Sequence, residues 1–226
     1  MLLSPGYRFL FVHIAKTGGT SVRAALQTVR RRDPWALPMF VCSRLSHLSG
    51  HRLGTKFPRH AKIIAAKEML PHDYFQSLFK FAFVRNPWDL QVSSFYHIQR
   101  ERPQHLGAYR HFEDFLRWKL DPERPYQYHI DTSISLQTDY LIDFNGDICV
   151  DFIGRYEQLA SDFASVCTRI GVKPQPLPAL RRAQDRDADY RRYYSDASAE
   201  LVAQHFARDI ALLGYRFDLL PTPSTT

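Results

Sequence analysis

The sequence predicts an α/β fold of three layers, a central parallel sheet with helices on both faces. Three observations lead there. Short apolar runs, Phe9-Leu10-Phe11-Val12-His13-Ile14 above all, alternate with segments of helical period. Strands separated by helices belong to parallel sheets that are covered on both sides. At 226 residues the chain is long enough for one well-buried domain and short for two. A single domain over residues 1–226 is expected, with residues 219–226 as a disordered tail.

The first strand runs through Ala15-Lys16-Thr17-Gly18-Gly19-Thr20-Ser21 into a helix that carries Val22, Ala25 and Leu26 and frays at Arg30-Arg31-Arg32. Asp33 to Arg59, rich in proline, glycine, serine and histidine, is expected as a long loop. Ala61 to Leu70 is expected as a helix, with Ile63, Ala66 and Leu70 on one face. Phe81-Ala82-Phe83-Val84 is a buried strand, after which Asn86 as N-cap and Pro87 as first residue open a helix to Gln99. Trp88, Phe95 and Tyr96 are assigned to core packing, as is His13 at the end of the first strand. Further helices are expected over Phe112–Lys119, Glu157–Ile170 and Ala197–Leu213, and a strand over Ile148–Phe152. Arg100–Arg110 and Lys173–Asp189 lack period and are expected as loops, the first shaping an acceptor pocket at the carboxyl ends of the strands.

A formal charge of +7, with arginine supplying 23 of the 30 basic residues, favours forked recognition of phosphate, sulfate or carboxylate. Nucleic acid is excluded as partner because the arginines are dispersed and no zinc-finger spacing or RNA-binding aromatic signature is present. Cys42, Cys149 and Cys167 are too few and too far apart for a disulfide framework or a zinc cluster, and are expected as buried thiols. The N-terminal residues Met1 to Arg8 lack the pattern of a leader, and no run approaches the roughly 20 apolar residues of a membrane span. A soluble, cytoplasmic protein is expected.

Two segments carry anion chemistry. In Ala15–Ser21 the unpaired N–H groups and dipole of a helix start face a glycine turn to which Lys16 adds a full charge. In the second, Ser93 lies two turns beyond Asn86 on the same helix face, about 10 Å along the axis, a distance that Arg85 spans in large part. Arginine and serine can therefore converge on one phosphate.

These two segments resemble the sulfotransferases that use 3′-phosphoadenosine 5′-phosphosulfate (PAPS), in their carbohydrate and bacterial branch. His13-Ile14-Ala15-Lys16-Thr17-Gly18-Gly19-Thr20-Ser21 is similar to the loop that holds the 5′-phosphosulfate, and Phe81 to Ser93 to the segment that holds the 3′-phosphate. Phe152-Ile153-Gly154-Arg155-Tyr156-Glu157, Asp209-Ile210 and Gly214-Tyr215-Arg216-Phe217 extend the likeness. Ala15 stands where the family commonly has proline, and Leu90 where it commonly has a basic residue.

The resemblance implies a P-loop-like nucleotide-binding architecture and transfer of a sulfuryl group to a hydroxyl, of a carbohydrate or glycolipid before other acceptors, with adenosine 3′,5′-bisphosphate as product and no metal. It assigns Lys16 to the leaving group, Lys16, Thr17, Gly18, Gly19, Thr20 and Ser21 to the 5′-phosphate, and Arg85 and Ser93 to the 3′-phosphate. Arg181-Arg182 is placed near the 3′ side. Among ten histidines the base is read as His60, in Arg59-His60-Ala61, where a helix N-terminus would keep its ring neutral; His47 and His51 are the alternatives. Two competing classes stay open: a nucleotide-dependent kinase, against which Lys16 precedes rather than follows the glycines, and an inactive relative that binds the bisphosphate without turnover.

Overall fold

The computed structural model describes residues 1–49, 57–107, 109–174, 176–178 and 186–218, over 46–49 the backbone alone. Packing divides the chain into two compact units. The first comprises Met1–Ile14, Gly18–Val84 and Asp139–Pro178, the second Ala15–Thr17, Arg85–Thr138 and Ala179–Thr226. In chain order the elements are β1 (Leu2–Ser4), β2 (Phe9–Val12), α1 (Gly19–Arg31), α2 (Ala36–Ser49), α3 (Ile63–Met69), α4 (His72–Ser77), β3 (Phe79–Val84), α5 (Pro87–Glu101), α6 (Phe112–Leu120), α7 (Tyr128–Asp131), β4 (Phe152–Arg155), α8 (Leu159–Arg169), α9 (Asp196–His205) and α10 (Ala207–Leu213).

The first unit holds a four-stranded sheet in the order β1-β2-β3-β4. β2, β3 and β4 are parallel, as expected, but β1 pairs antiparallel with β2, so the sheet is mixed. The cause is local: β1 reaches β2 through a tight turn in which the Arg8 N–H donates to the Pro5 carbonyl at 3.2 Å, and so short a link returns the chain antiparallel. β4 also starts later than expected, at Phe152, because Ile148 is drawn into an isolated bridge with Ile142. Phe9, Phe11, Phe81 and Phe83 form one face of the sheet under Val22, Leu26 and Val29 of α1 and Phe163, Val166 and Ile170 of α8. Leu10, Val12, Ala82 and Val84, alternating with them, are buried too. This double burial explains why the strands read as unbroken apolar runs.

Two expectations about helices change. Where a loop over Asp33–Arg59 was expected, α2 forms: Leu37, Phe40, Val41 and Leu45 do recur at helical spacing, and Pro38 falls in the first turn, where its missing N–H costs no hydrogen bond. The expected helix Ala197–Leu213 is broken into α9 and α10 at Phe206, which leaves helical geometry (φ −102°, ψ 22°) with its side chain buried. Of the three cysteines only Cys167 is buried; Cys42 and Cys149 are partly exposed. Among the described residues no helix is long and apolar enough to cross a membrane. Arg181 and Arg182, and the tail 219–226, lie outside the described residues.

In the second unit Trp88, Val92, Phe95 and Ile98 of α5 pack with Phe112, Phe115 and Leu116 of α6, Ile130 of α7 and Val202 of α9. Trp88 and Phe95 are thus core residues, as the sequence indicated, with Tyr96 at the edge of the same cluster. Within this core the fully buried ammonium of Lys119 donates to Gln91 Oε1 (2.6 Å) and Ser94 Oγ (2.9 Å). Desolvation pushes its pKa well below that of an ordinary lysine, and the charge of Lys16 adds to the effect.

Leu26, wholly enclosed between α1 and the sheet, is the sensitive point of the first core. Leu26→Ala is expected to lower the unfolding free energy by about 3 kcal/mol, measured by denaturant titration.

Candidate active site

The turn between β2 and α1 is shaped by its glycines. Gly18 is left-handed (φ +78°), and a Cβ there would stand 2.6 Å from Leu159 Cδ2 and 3.1 Å from Tyr156. At Gly19 a Cβ would stand 2.2 Å from the His13 ring. Neither position admits a side chain without displacing a neighbour. The start of α1 has no side-chain cap and no carboxylate in its first turn. The N–H groups of Gly18, Gly19 and Thr20 and the hydroxyls of Thr20 and Ser21 have no hydrogen-bond partner among the described residues. Uncapped donors at the positive end of a 13-residue helix form a cradle for an anion.

His13 is buried against this turn, stacked on Phe11 at 5.6 Å. Desolvation lowers its pKa to about 2, so it is neutral. Its Nδ1 has no hydrogen-bond partner among the described residues. The His60 ring lies 4.7 Å from it, centre to centre, and His60 Nδ1 is 2.9 Å from the His13 carbonyl oxygen. Since a carbonyl only accepts, Nδ1 carries the proton and Nε2 keeps its lone pair. His60 is half-buried, and burial lowers its pKa. The reason expected from the sequence does not hold: α3 begins at Ile63 with Lys62 as N-cap, so His60 lies ahead of the helix, and desolvation rather than a helix dipole keeps the ring neutral. His47 lies in α2, where only the backbone is described, and His51 lies outside the described residues.

In the second unit, Lys16 adopts a left-handed backbone (φ +67°), unusual for a residue with a side chain. Its carbonyl accepts from Arg85 Nη1 at 3.0 Å. Arg85 is buried, and its Nε donates to Asp89 Oδ2 at 2.7 Å. The guanidinium therefore engages Asp89, one turn short of Ser93. Ser93 is partly exposed, and its hydroxyl makes no hydrogen bond among the described residues, not even to the helix carbonyl a turn before. Asn86 caps α5 as expected, its Oδ1 accepting from the Trp88 N–H at 3.0 Å.

Sequence reasoning missed the supports of this segment. Asp89 also accepts from Arg186; burial would raise its pKa, but the charges of Arg85 and Arg186 outweigh that and hold it below the usual carboxylate value. Gln137 pairs with the Arg85 main chain in both directions, accepting at 2.9 Å and donating at 2.8 Å. Asp209 fixes Gln137 in turn, its buried carboxylate accepting from the N–H groups of Gln137 (2.8 Å) and Thr138 (2.9 Å). Asn86 Nδ2 donates to the Arg216 carbonyl and to Tyr190 Oη. The spacing of Asp89 four residues after Arg85 was a readable signal; the long-range partners Gln137, Arg186 and Tyr190 left none.

The buried neutral histidines give the fold a pH dependence. The folded pKa of His13, about 2, lies below the ordinary 6.5. Its contribution to stability is therefore complete above pH 6.5 and is lost as pH falls toward the folded value. Denaturant melts are expected to show stability declining from pH 6.5 downward, with a shallower decline in His13→Leu. Gly19→Ala, whose new methyl would meet the His13 ring, is expected to destabilise by about 1–3 kcal/mol in the same melts.

No curated protein matches the chain. A family model described as "Sulfotransferase family" matches residues 1–218. The match takes in β1 through α10, with the glycine turn, Arg85 and the Asp209 support. The chain therefore belongs to the sulfotransferase family, and is a PAPS-dependent sulfotransferase.

Proposed function

We propose that this enzyme moves a sulfuryl group from PAPS to a hydroxyl of a carbohydrate or glycolipid, with His60 as base and Lys16 on the leaving phosphate. The observation that carries this reading is the 3.0 Å hydrogen bond from Arg85 Nη1 to the Lys16 carbonyl, which joins the segment proposed for the 3′-phosphate to the lysine proposed for the 5′-phosphosulfate. The unbonded donors at Gly18, Gly19 and Thr20 support a P-loop-like mode of nucleotide binding, in which backbone N–H groups and the Thr20 and Ser21 hydroxyls surround the 5′-phosphate together with Thr17.

Each residue then has one task. His60 Nε2 takes the proton from the acceptor hydroxyl, whose oxygen bonds to sulfur. Lys16 neutralises the phosphate oxygen that receives the electron pair as the old sulfur–oxygen bond breaks. The α1 dipole and the turn donors stabilise charge that grows on the sulfuryl and phosphate oxygens. Arg85 and the Ser93 hydroxyl hold the 3′-phosphate, and Asp89 and Gln137 keep Arg85 in place. Positioning and electrostatics supply most of the rate, as in phosphoryl transfer.

Labelled-sulfate transfer to a panel of sugar and lipid hydroxyls, read beside calorimetric binding of adenosine 3′,5′-bisphosphate, tests these roles. His60→Ala is expected to lower turnover by about 10²–10⁴ with bisphosphate affinity unchanged; undiminished turnover would remove His60 as base. Arg85→Ala is expected to raise the bisphosphate Kd by at least about tenfold, and Arg85→Lys to recover little of that loss because the fork is gone. Because burial lowers the His60 pKa below 6.5, the acid limb of kcat/KM should lie below pH 6.5. Tighter binding of ATP with magnesium than of the bisphosphate would point to a kinase instead.

A further inference from the structure

α2 turns an apolar face to solvent. Leu37, Phe40, Val41 and Leu45 are all exposed, between 45% and 70%. With Arg44 they stand at spacings of three and four residues, on one side of the helix over about 12 Å. The Arg44 guanidinium lies over the Phe40 ring at 5.4 Å. Trp35, 57% exposed, precedes the helix. A contiguous face of this kind is uncommon on a protein with no partner for it.

Its charge is one-sided. Arg31 and Arg32, exposed at the end of α1, lead into it, and no carboxylate occurs in the sequence between Asp33 and Glu68. Asp33 itself is buried, accepting from Ser4 Oγ, from the Gly6 N–H and, at 2.9 Å, from the Trp35 N–H. Residues 34–67 thus offer no carboxylate to balance Arg31, Arg32 and Arg44.

We propose that the α2 face is a peripheral docking surface for an anionic lipid bilayer. Leu37, Phe40, Val41 and Leu45 enter the headgroup boundary with the helix lying in the plane, Trp35 sits at the interface, and Arg31, Arg32 and Arg44 pair with lipid phosphates. Charge disfavours a second copy of the chain, which would set Arg44 and its neighbours against their own counterparts, with no carboxylate in residues 34–67 to pair with them. The apolar residues stand out from a single convex helix, a shape that a fluid surface accommodates. The inference is independent of the acceptor proposed above.

The test is co-sedimentation of the full chain with vesicles of phosphatidylcholine alone and vesicles containing about one-third phosphatidylglycerol. Binding is expected to the second only, and to weaken with salt. The combined substitutions Leu37→Ser, Phe40→Ser and Leu45→Ser, and separately Arg31→Glu, Arg32→Glu and Arg44→Glu, should each lower partitioning by at least about tenfold with circular dichroism and melting temperature unchanged. Equal sedimentation of wild type and the serine variant would overturn the proposal, since general basicity would then suffice. So would failure to bind anionic vesicles. A dimer seen by light scattering and abolished by the serine substitutions would assign the face to self-association, and polyglutamate binding with that same dependence would assign it to an acidic polypeptide. A sulfotransferase assay in detergent-free buffer is expected to be unaffected by either variant, which separates this result from the reading of the active site.

Discussion

The parallel pairing of β2 with β3 is the constraint on which the rest depends. Its register, Phe9 with Phe79 through Val12 with Ala82, makes the two strands run side by side and end at the same edge of the sheet. Lys16 follows β2 and Arg85 follows β3 in the chain, and within the second unit the two are joined by the 3.0 Å bond from Arg85 Nη1 to the Lys16 carbonyl. Four packed phenylalanines support that register: Phe11 stacks on Phe81 at 5.3 Å, Phe9 lies tilted against Phe81, and Phe83 meets Phe11 and Phe81 edge-on.

The site also shows how polar groups are maintained in a poorly solvated place. Arg85 is buried with a buried carboxylate partner, Gln137 satisfies both its backbone groups, and Asp209 accepts from the backbone N–H groups of Gln137 and Thr138. Every link is local to the second unit, and each removes a donor or acceptor that would otherwise be stranded at a cost of about 1–3 kcal/mol. Lys119 differs: its amine rests on a glutamine and a serine without a carboxylate, and burial answers by weakening its hold on the proton.

Legibility in the sequence followed the range of the interactions. The glycine turn, the Asn86-Pro87 start of α5 and the alternation of strands with helices were readable because each rests on residues close in the chain. The three faint echoes of the family pattern acquire structural reasons: Tyr156 packs against Gly18, Asp209 holds Gln137, and the Arg216 carbonyl receives Asn86. Failures had the opposite character. β1 is too short to show a period, α2 was hidden by Pro38 and by an apolar face that points to solvent, and the helix break at Phe206 has no glycine or proline beside it to announce it. His60 was chosen by resemblance and by an expected helix N-terminus, which begins later, at Ile63. Its tautomer and neutrality come from the His13 carbonyl and from burial, neither of which a sequence displays.

Asp89 has one further implication. Its carboxylate is shared between Arg85 and Arg186, so one buried negative charge answers two guanidinium groups and leaves this cluster with a net positive charge. In the site proposed above, Asp89 would therefore orient Arg85 without cancelling the attraction that the pair of arginines holds for an anion.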